Sequence, residues 1–192
     1  MKGLAAVIIY GSFAMSLSYS AVTPLFYSQL LQRGIHFFYN GFFLIYACPF
    51  ILLQPSVALL LTHAIGLLNT FIVGALCLGS ATIAFTLLYL VTSPSLYLAI
   101  ALLSRFAQGV GSALMLVGSY SILPYLFPKH VARATTLLTA ASAIGALISG
   151  SFLERVEATL GVPGPFWLSG SLVLYASLIG CSYSLPRDRR SL

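Results

Sequence analysis

The sequence predicts an all-α membrane protein of six transmembrane helices. Of 192 residues, 59% are hydrophobic and 6% charged, far below the roughly 25% charged expected of a soluble domain. The apolar residues fall into six long runs, each able to cross a hydrocarbon core of about 30 Å as a helix rising about 1.5 Å per residue. Eight of the nine Lys and Arg lie at the ends of those runs, and Arg105 lies within one. The net charge of +6 therefore reads as a topology signal and a contact with anionic lipid, not as a nucleic-acid surface. Residues 1–192 are treated as a single six-helix transmembrane domain.

The first span covers 4–31. Lys2 before an apolar run has the look of a signal peptide, but the run is too long and lacks a cleavage site. Ser12, Ser16, Tyr19 and Thr23 form a stripe along it, and Pro24 bends its outer third. Arg33 to His36 ends the span. The second, 37–61, contains Asn40, Pro49, Gln54 and Pro55; two prolines predict a bent helix whose freed carbonyls are met by neighbours.

A short connection, Thr62 to Gly66, leads into the third span, 67–91. It is almost uniformly apolar, with Gly74, Ala75 and Gly79 as small packing positions, and it reads as lipid-facing. Thr92 to Ser95 breaks the chain before the fourth span, 96–123. Pro124 to Arg133 makes a basic turn. The fifth span, 132–153, carries Thr135, Thr139, Ser142 and Ser149 as a polar stripe, with Gly145, Ala146 and Gly150 permitting tight packing. Glu154 to Glu157 and Gly161 to Pro165 form a polar, breaker-rich loop. The sixth span, 166–185, is again mostly apolar and lipid-facing, and Pro186 to Arg190 follows as a charged segment.

One side of the membrane receives Lys2, Lys129, Arg133, Arg187, Arg189 and Arg190, the other only Arg33 and Arg155. The positive-inside rule puts both termini in the cytoplasm, and an even number of spans agrees.

The fourth span carries the chemistry. Arg105, Gln108, Ser112 and Ser119 fall on one helical face at i, i+3, i+7 and i+14. A guanidinium at this depth is expensive and does not shed its proton, so it must face a cavity or a partner. Gly109 and Gly111 leave room beside it for a neighbouring helix. A snorkelling or purely packing Arg is the alternative. For each Ser/Thr stripe taken singly, hydrogen bonds to its own helix backbone are the simpler reading; the agreement of several stripes with one glycine-flanked Arg favours a polar path.

Other chemistry finds no support. Cys48, Cys77 and Cys181 sit in or beside apolar runs at unrelated spacings, as buried thiols. His36, His63 and His130 lie in separate connections without metal-ligand spacing. No metal and no cofactor is expected. No Gly-x-Ser-Gly element supports an intramembrane serine protease, and no phosphate-cradling loop or nucleic-acid module is present, so the chain is not read as an enzyme.

The pattern Arg105-x-x-Gln108-Gly109-x-Gly111-x-Ala113 resembles the fourth-helix motif of major facilitator superfamily transporters. Pro124-x-x-Phe127-Pro128-Lys129, with Arg133, is similar to the loop that follows it there. Pro24-Leu25-Phe26, Arg33-Gly34, Gly41, Ile65-Gly66 and Pro165-Phe166 resemble the vesicular amine and polyamine transporter branch. The resemblance spans nearly the whole chain but only one six-helix half of the usual twelve. It departs in three places. In the superfamily's gating loop after helix two only Gly66 survives, with His63 at the acidic position and Leu67 and Leu68 at basic ones. The fifth helix lacks the antiporter Gly-Pro element, and Gln29 stands where the branch often has an acid. With no Asp or Glu inside a predicted span, proton coupling through this half is not expected.

The resemblance implies half of a major-facilitator-type bundle: two inverted three-helix repeats, helices one and four lining the path, three and six outside. It implies transport of a small organic solute, an amine or drug-like cation by branch, by alternating access. The candidate path residues are Arg105, Gln108, Ser112, Tyr19, Gln29 and Asn40; the candidate packing residues are Gly109, Gly111, Gly145 and Gly150. The competing expectation is a non-transporting relic of a carrier acting in membrane interaction or regulation. Partners follow: the bilayer, the solute, and a second six-helix half or second copy covering the polar face. A chain truncated from a twelve-helix protein is the third way to explain the single half. Plasma and vesicular membranes remain equally open.

Overall fold

The computed structural model describes residues 2–32, 39–56 and 62–183, and among these every regular element is helical. In order they are α1 (Lys2–Gln32), α2 (Tyr39–Ser56), a single turn α3 (Thr62–Ile65), α4 (Leu67–Ala84), α5 (Pro94–Leu126), α6 (Val131–Leu160) and α7 (Gly164–Cys181). A 3-10 stretch, Phe85–Leu90, prolongs α4. Five segments are long and apolar enough to cross a membrane: Gly3–Ser20, Leu67–Leu90, Pro94–Leu126, Val131–Leu160 and Gly164–Cys181; Phe42–Ser56 is a shorter apolar helix. The chain is a multi-pass membrane protein. The expected second span, 37–61, is described only over Tyr39–Ser56, and its remainder lies outside the described residues, as do His36 and the basic residues from Arg187 to Arg190.

The largest departure from the expected boundaries is at the 154–165 loop. The fifth span continues to Leu160, so Glu154 to Glu157 are the last turns of α6 instead of a loop. The loop shrinks to Gly161–Pro163, where Gly161 takes φ 75°, a left-handed value that glycine adopts without strain. Gly66 does the same at φ 88° between α3 and α4. The carbonyl of Gly66 then accepts from the backbone N–H of Thr70 at 3.0 Å and from its hydroxyl at 2.9 Å, anchoring the first turn of α4.

Helix pairing follows the small residues. The largest interfaces are α4 with α5, α1 with α6, α4 with α7, α2 with α5, and α1 with α7. Exchanging α1 with α5, α2 with α6 and α4 with α7 maps these five pairs onto themselves. A Cβ on Gly111 would sit 2.5 Å from the backbone N of Leu78, and one on Gly74 would sit 2.5 Å from that of Met115. So α4 and α5 meet backbone to backbone, as small-residue packing in membranes permits. Gly79 and Gly170 let α4 and α7 do likewise.

The third span packs on two sides and exposes Val73, Leu76, Leu87 and Leu90 on the remaining one. Over an 18-residue window, Leu67–Leu90 is 61% buried, against 22% for Val131–Leu160. A helix apolar all round is as fit for a protein interior as for lipid, and its glycines admit a neighbour on two sides. The main core joins α1, α4, α5 and α7 through Ile8, Phe71, Leu78, Met115 and Val173. Much less of α6 is buried, and it exposes Leu137, Ile144, Leu147 and Ile148.

Candidate functional site

The candidate site lies where α1, α2, α5 and the end of α4 converge. Arg105 is 0% exposed and is the largest fully buried side chain of the described residues. Its Nη1 donates to Gln108 Oε1 at 2.9 Å. Gln108, 1% exposed, donates from Nε2 to Thr82 Oγ1 at 2.9 Å. Thr82 donates back to the carbonyl of Leu78 at 2.8 Å, and Ser18 Oγ lies 2.9 Å from Thr82 Oγ1.

Proton counting orients the network. The Thr82 hydroxyl has one proton and two lone pairs. Its proton goes to Leu78 and one lone pair takes Gln108, so Ser18 must be the donor on the other. The Gln108 amide is fixed likewise, because its oxygen must face the guanidinium and not its NH₂. Arg105 thus ends on the Gln108 oxygen, while Gln108 and Ser18 both end on the Thr82 hydroxyl, which donates to the Leu78 carbonyl. The rest of Arg105 is unmet: its Nε and Nη2 have no partner, nor does Ser112 Oγ.

Aromatic rings surround the cation instead. The Arg105 Cζ lies 4.5 Å from the ring centre of Phe42, 5.6 Å from Tyr46, and 5.8 Å from both Tyr19 and Phe85. All fall within the roughly 6 Å over which ring quadrupoles attract a cation. Tyr19 packs on Tyr46 at 4.6 Å between ring centres and is 36% exposed, so this pair is the cover of the cage. Four elements supply it: α1 gives Tyr19, α2 gives Phe42 and Tyr46, the 3-10 stretch gives Phe85, and α5 gives the charge.

Of the expected path residues, Arg105, Gln108, Ser112 and Tyr19 are brought to this region. Gln29 and Asn40 lie on α1 and α2, but their side chains are outside the described residues. Three packing glycines sit at close contacts: Gly109 against the Tyr46 carbonyl and Pro49, Gly111 against Leu78, and Gly145 against the Phe13 carbonyl. Gly150 does not. Nothing lies within 4 Å of a Cβ placed there, because it falls on the exposed side of α6, opposite the face that meets α1.

The stripe on α6 also resolves differently from the one on α5. Thr135, Thr139 and Ser149 bond carbonyls of their own helix, the simpler reading for such residues. Only Ser142, reaching the Ser12 carbonyl at 3.5 Å, and Thr139, 3.0 Å from the Tyr120 hydroxyl, touch another helix. Sequence reasoning missed Ser18, Thr82 and the ring cage. A lone Thr in an apolar helix carries no stripe, and Phe or Tyr in a membrane span reads as lipid contact until the fold turns it inward.

A separate groove between α2 and α5, lined by Leu44, Ile45, Cys48, Pro49, Leu52 and Phe106, is apolar and offers a ligand no polar group. Comparisons with known protein families, characterised proteins and solved structures find no match to this chain.

Proposed function

We propose that this chain forms one six-helix half of a major-facilitator-type carrier and moves a small organic solute by alternating access. The observation that carries the reading is the buried Arg105–Gln108–Thr82–Ser18 network, which joins α5, α4 and α1. An ionised side chain in a membrane interior costs at least about 2.5–3.5 kcal/mol on insertion scales, and a fold that needed only packing would use Leu or Met there. The exchange of α1, α2 and α4 with α5, α6 and α7 among the main interfaces is the pairing that two inverted three-helix repeats would make. The excess of basic residues on one side supports a reading with both termini in the cytoplasm.

The amine preference implied by the resemblance draws no support from the cage. Ring faces that would hold a solute ammonium are already engaged by the protein's own guanidinium, which would repel a second cation. The test is flux into proteoliposomes, with and without a pH gradient, for matched panels of organic amines and organic acids. Saturable flux of either panel supports the reading; no flux from correctly inserted protein ends it. The second reading, a non-transporting membrane interaction protein, is favoured by one observation: the turn at Gly66 carries Leu67 and Leu68 where the superfamily's gate has basic residues. The same flux experiment separates the two.

A further inference from the structure

The geometry points to an oxyanion-binding edge on Arg105, and so to a solute bearing a carboxylate; this substrate class rests on the carrier reading above. The unpartnered atoms are Nε and Nη2. These are adjacent nitrogens on the side of the guanidinium plane away from Nη1, the atom that Gln108 engages. Their two N–H bonds run parallel, which is the spacing that takes both oxygens of a carboxylate at once. An edge fully buried with two donors unmet is costly to maintain. Aromatic faces attract the charge but do not replace in-plane acceptors.

No carboxylate of the described residues meets these atoms. The chain's acids are three: Glu154 and Glu157 near the end of α6, and Asp188 outside the described residues. The neighbouring network ends on the Leu78 carbonyl and engages Arg105 only at Nη1. What is missing is therefore an acceptor that arrives from outside. A solute would enter past Tyr19, which is exposed, packs on Tyr46 and lies beside the cation. Turning Tyr19 aside would uncover the guanidinium while Gln108 keeps Nη1 in place. An aromatic acid fits best, because its ring can take the place of Tyr19 against Tyr46 as its carboxylate meets the edge.

Benzoate, benzamide and benzylamine share one shape and differ in charge, which makes them the probes. Each is titrated onto the purified chain in phosphatidylcholine nanodiscs, read by ligand-observed NMR and thermal stabilisation. Benzoate is expected to bind saturably and at least about tenfold more tightly than benzamide, with benzylamine not competing. Arg105→Gln is expected to erase the benzoate preference, and Arg105→Lys to weaken benzoate at least about tenfold, since lysine keeps the charge and loses the fork. Equal binding of benzoate and benzamide by the unaltered protein overturns the inference, whatever the variants do. Loss of benzoate binding when phosphatidylglycerol enters the disc assigns the edge to a lipid headgroup and overturns the solute assignment. Benzoate binding without flux of any organic acid keeps the edge and ends the carrier reading. Amine flux without benzoate preference ends the edge and keeps the carrier.

Discussion

Gln108 donates its amide proton to Thr82 at 2.9 Å across the α4–α5 interface, and Thr82 simultaneously receives Ser18 from α1. One hydroxyl thus closes three helices. Thr82→Val preserves shape and leaves two buried donors without an acceptor. Interhelical hydrogen bonds in membranes average about 0.6 kcal/mol and reach about 1.7, so a loss of about 1–2 kcal/mol is expected. Thr82→Ser should retain most of the stability. Reversible unfolding in bicelles measures both, and equal stability of Thr82→Val and the parent would show that the network contributes nothing.

Glycines 111 and 150 should behave in opposite ways although both were expected to pack helices. Gly111→Ala drives a methyl into the backbone of Leu78 and is expected to lower stability by about 1–3 kcal/mol, the usual cost of overpacking. Gly150→Ala meets open space and should leave stability unchanged or raise it by up to about 1 kcal/mol through helix propensity. Thermal unfolding of the pair provides the comparison; similar losses at both positions would contradict it.

Topology is open to chemistry. In a background with Cys48, Cys77 and Cys181 replaced, a single cysteine at Lys129 should react with an impermeant maleimide only from the cytoplasmic side. A single cysteine at Glu157, at the opposite end of α6, should react only from the other side. The reverse pattern would invert the orientation taken from the basic residues.

A lone copy is not expected to transport. Alternating access needs a second bundle to rock against, and α6 leaves Leu147 81% exposed beside half-exposed Ile144. The flux-competent species in proteoliposomes should therefore exceed 20.5 kDa, as paired copies of this chain. Mass measurement in nanodiscs decides, since a stable, active monomer would refute the expectation.

Much of this was legible in residue order. Composition announced the membrane, the i, i+3, i+7 spacing put Arg105, Gln108 and Ser112 on one face, and all three are buried. The helix ends were less legible. Glu154 and Arg155 read as a loop because charges do not belong in lipid, yet α6 runs on past them, as a helix leaving the hydrocarbon has no reason to stop. The partners across helices were hidden for a different reason. Thr82 looks like any residue bonding its own i−4 carbonyl, which it also does. Only the meeting of α1, α4 and α5 turns its two lone pairs into a junction.

The buried charge of Arg105 also has an electrical meaning. A positive charge fixed in a low-dielectric layer feels the voltage across that layer, at about 2.3 kcal/mol per 100 mV for a full crossing. Any rearrangement that shifts this guanidinium through a fraction of the field must do that fraction of the work. A bound anion would cancel the charge and make the loaded form indifferent to voltage. The membrane potential would then act on the empty protein, drawing Arg105 toward the negative side and setting the pace of its return.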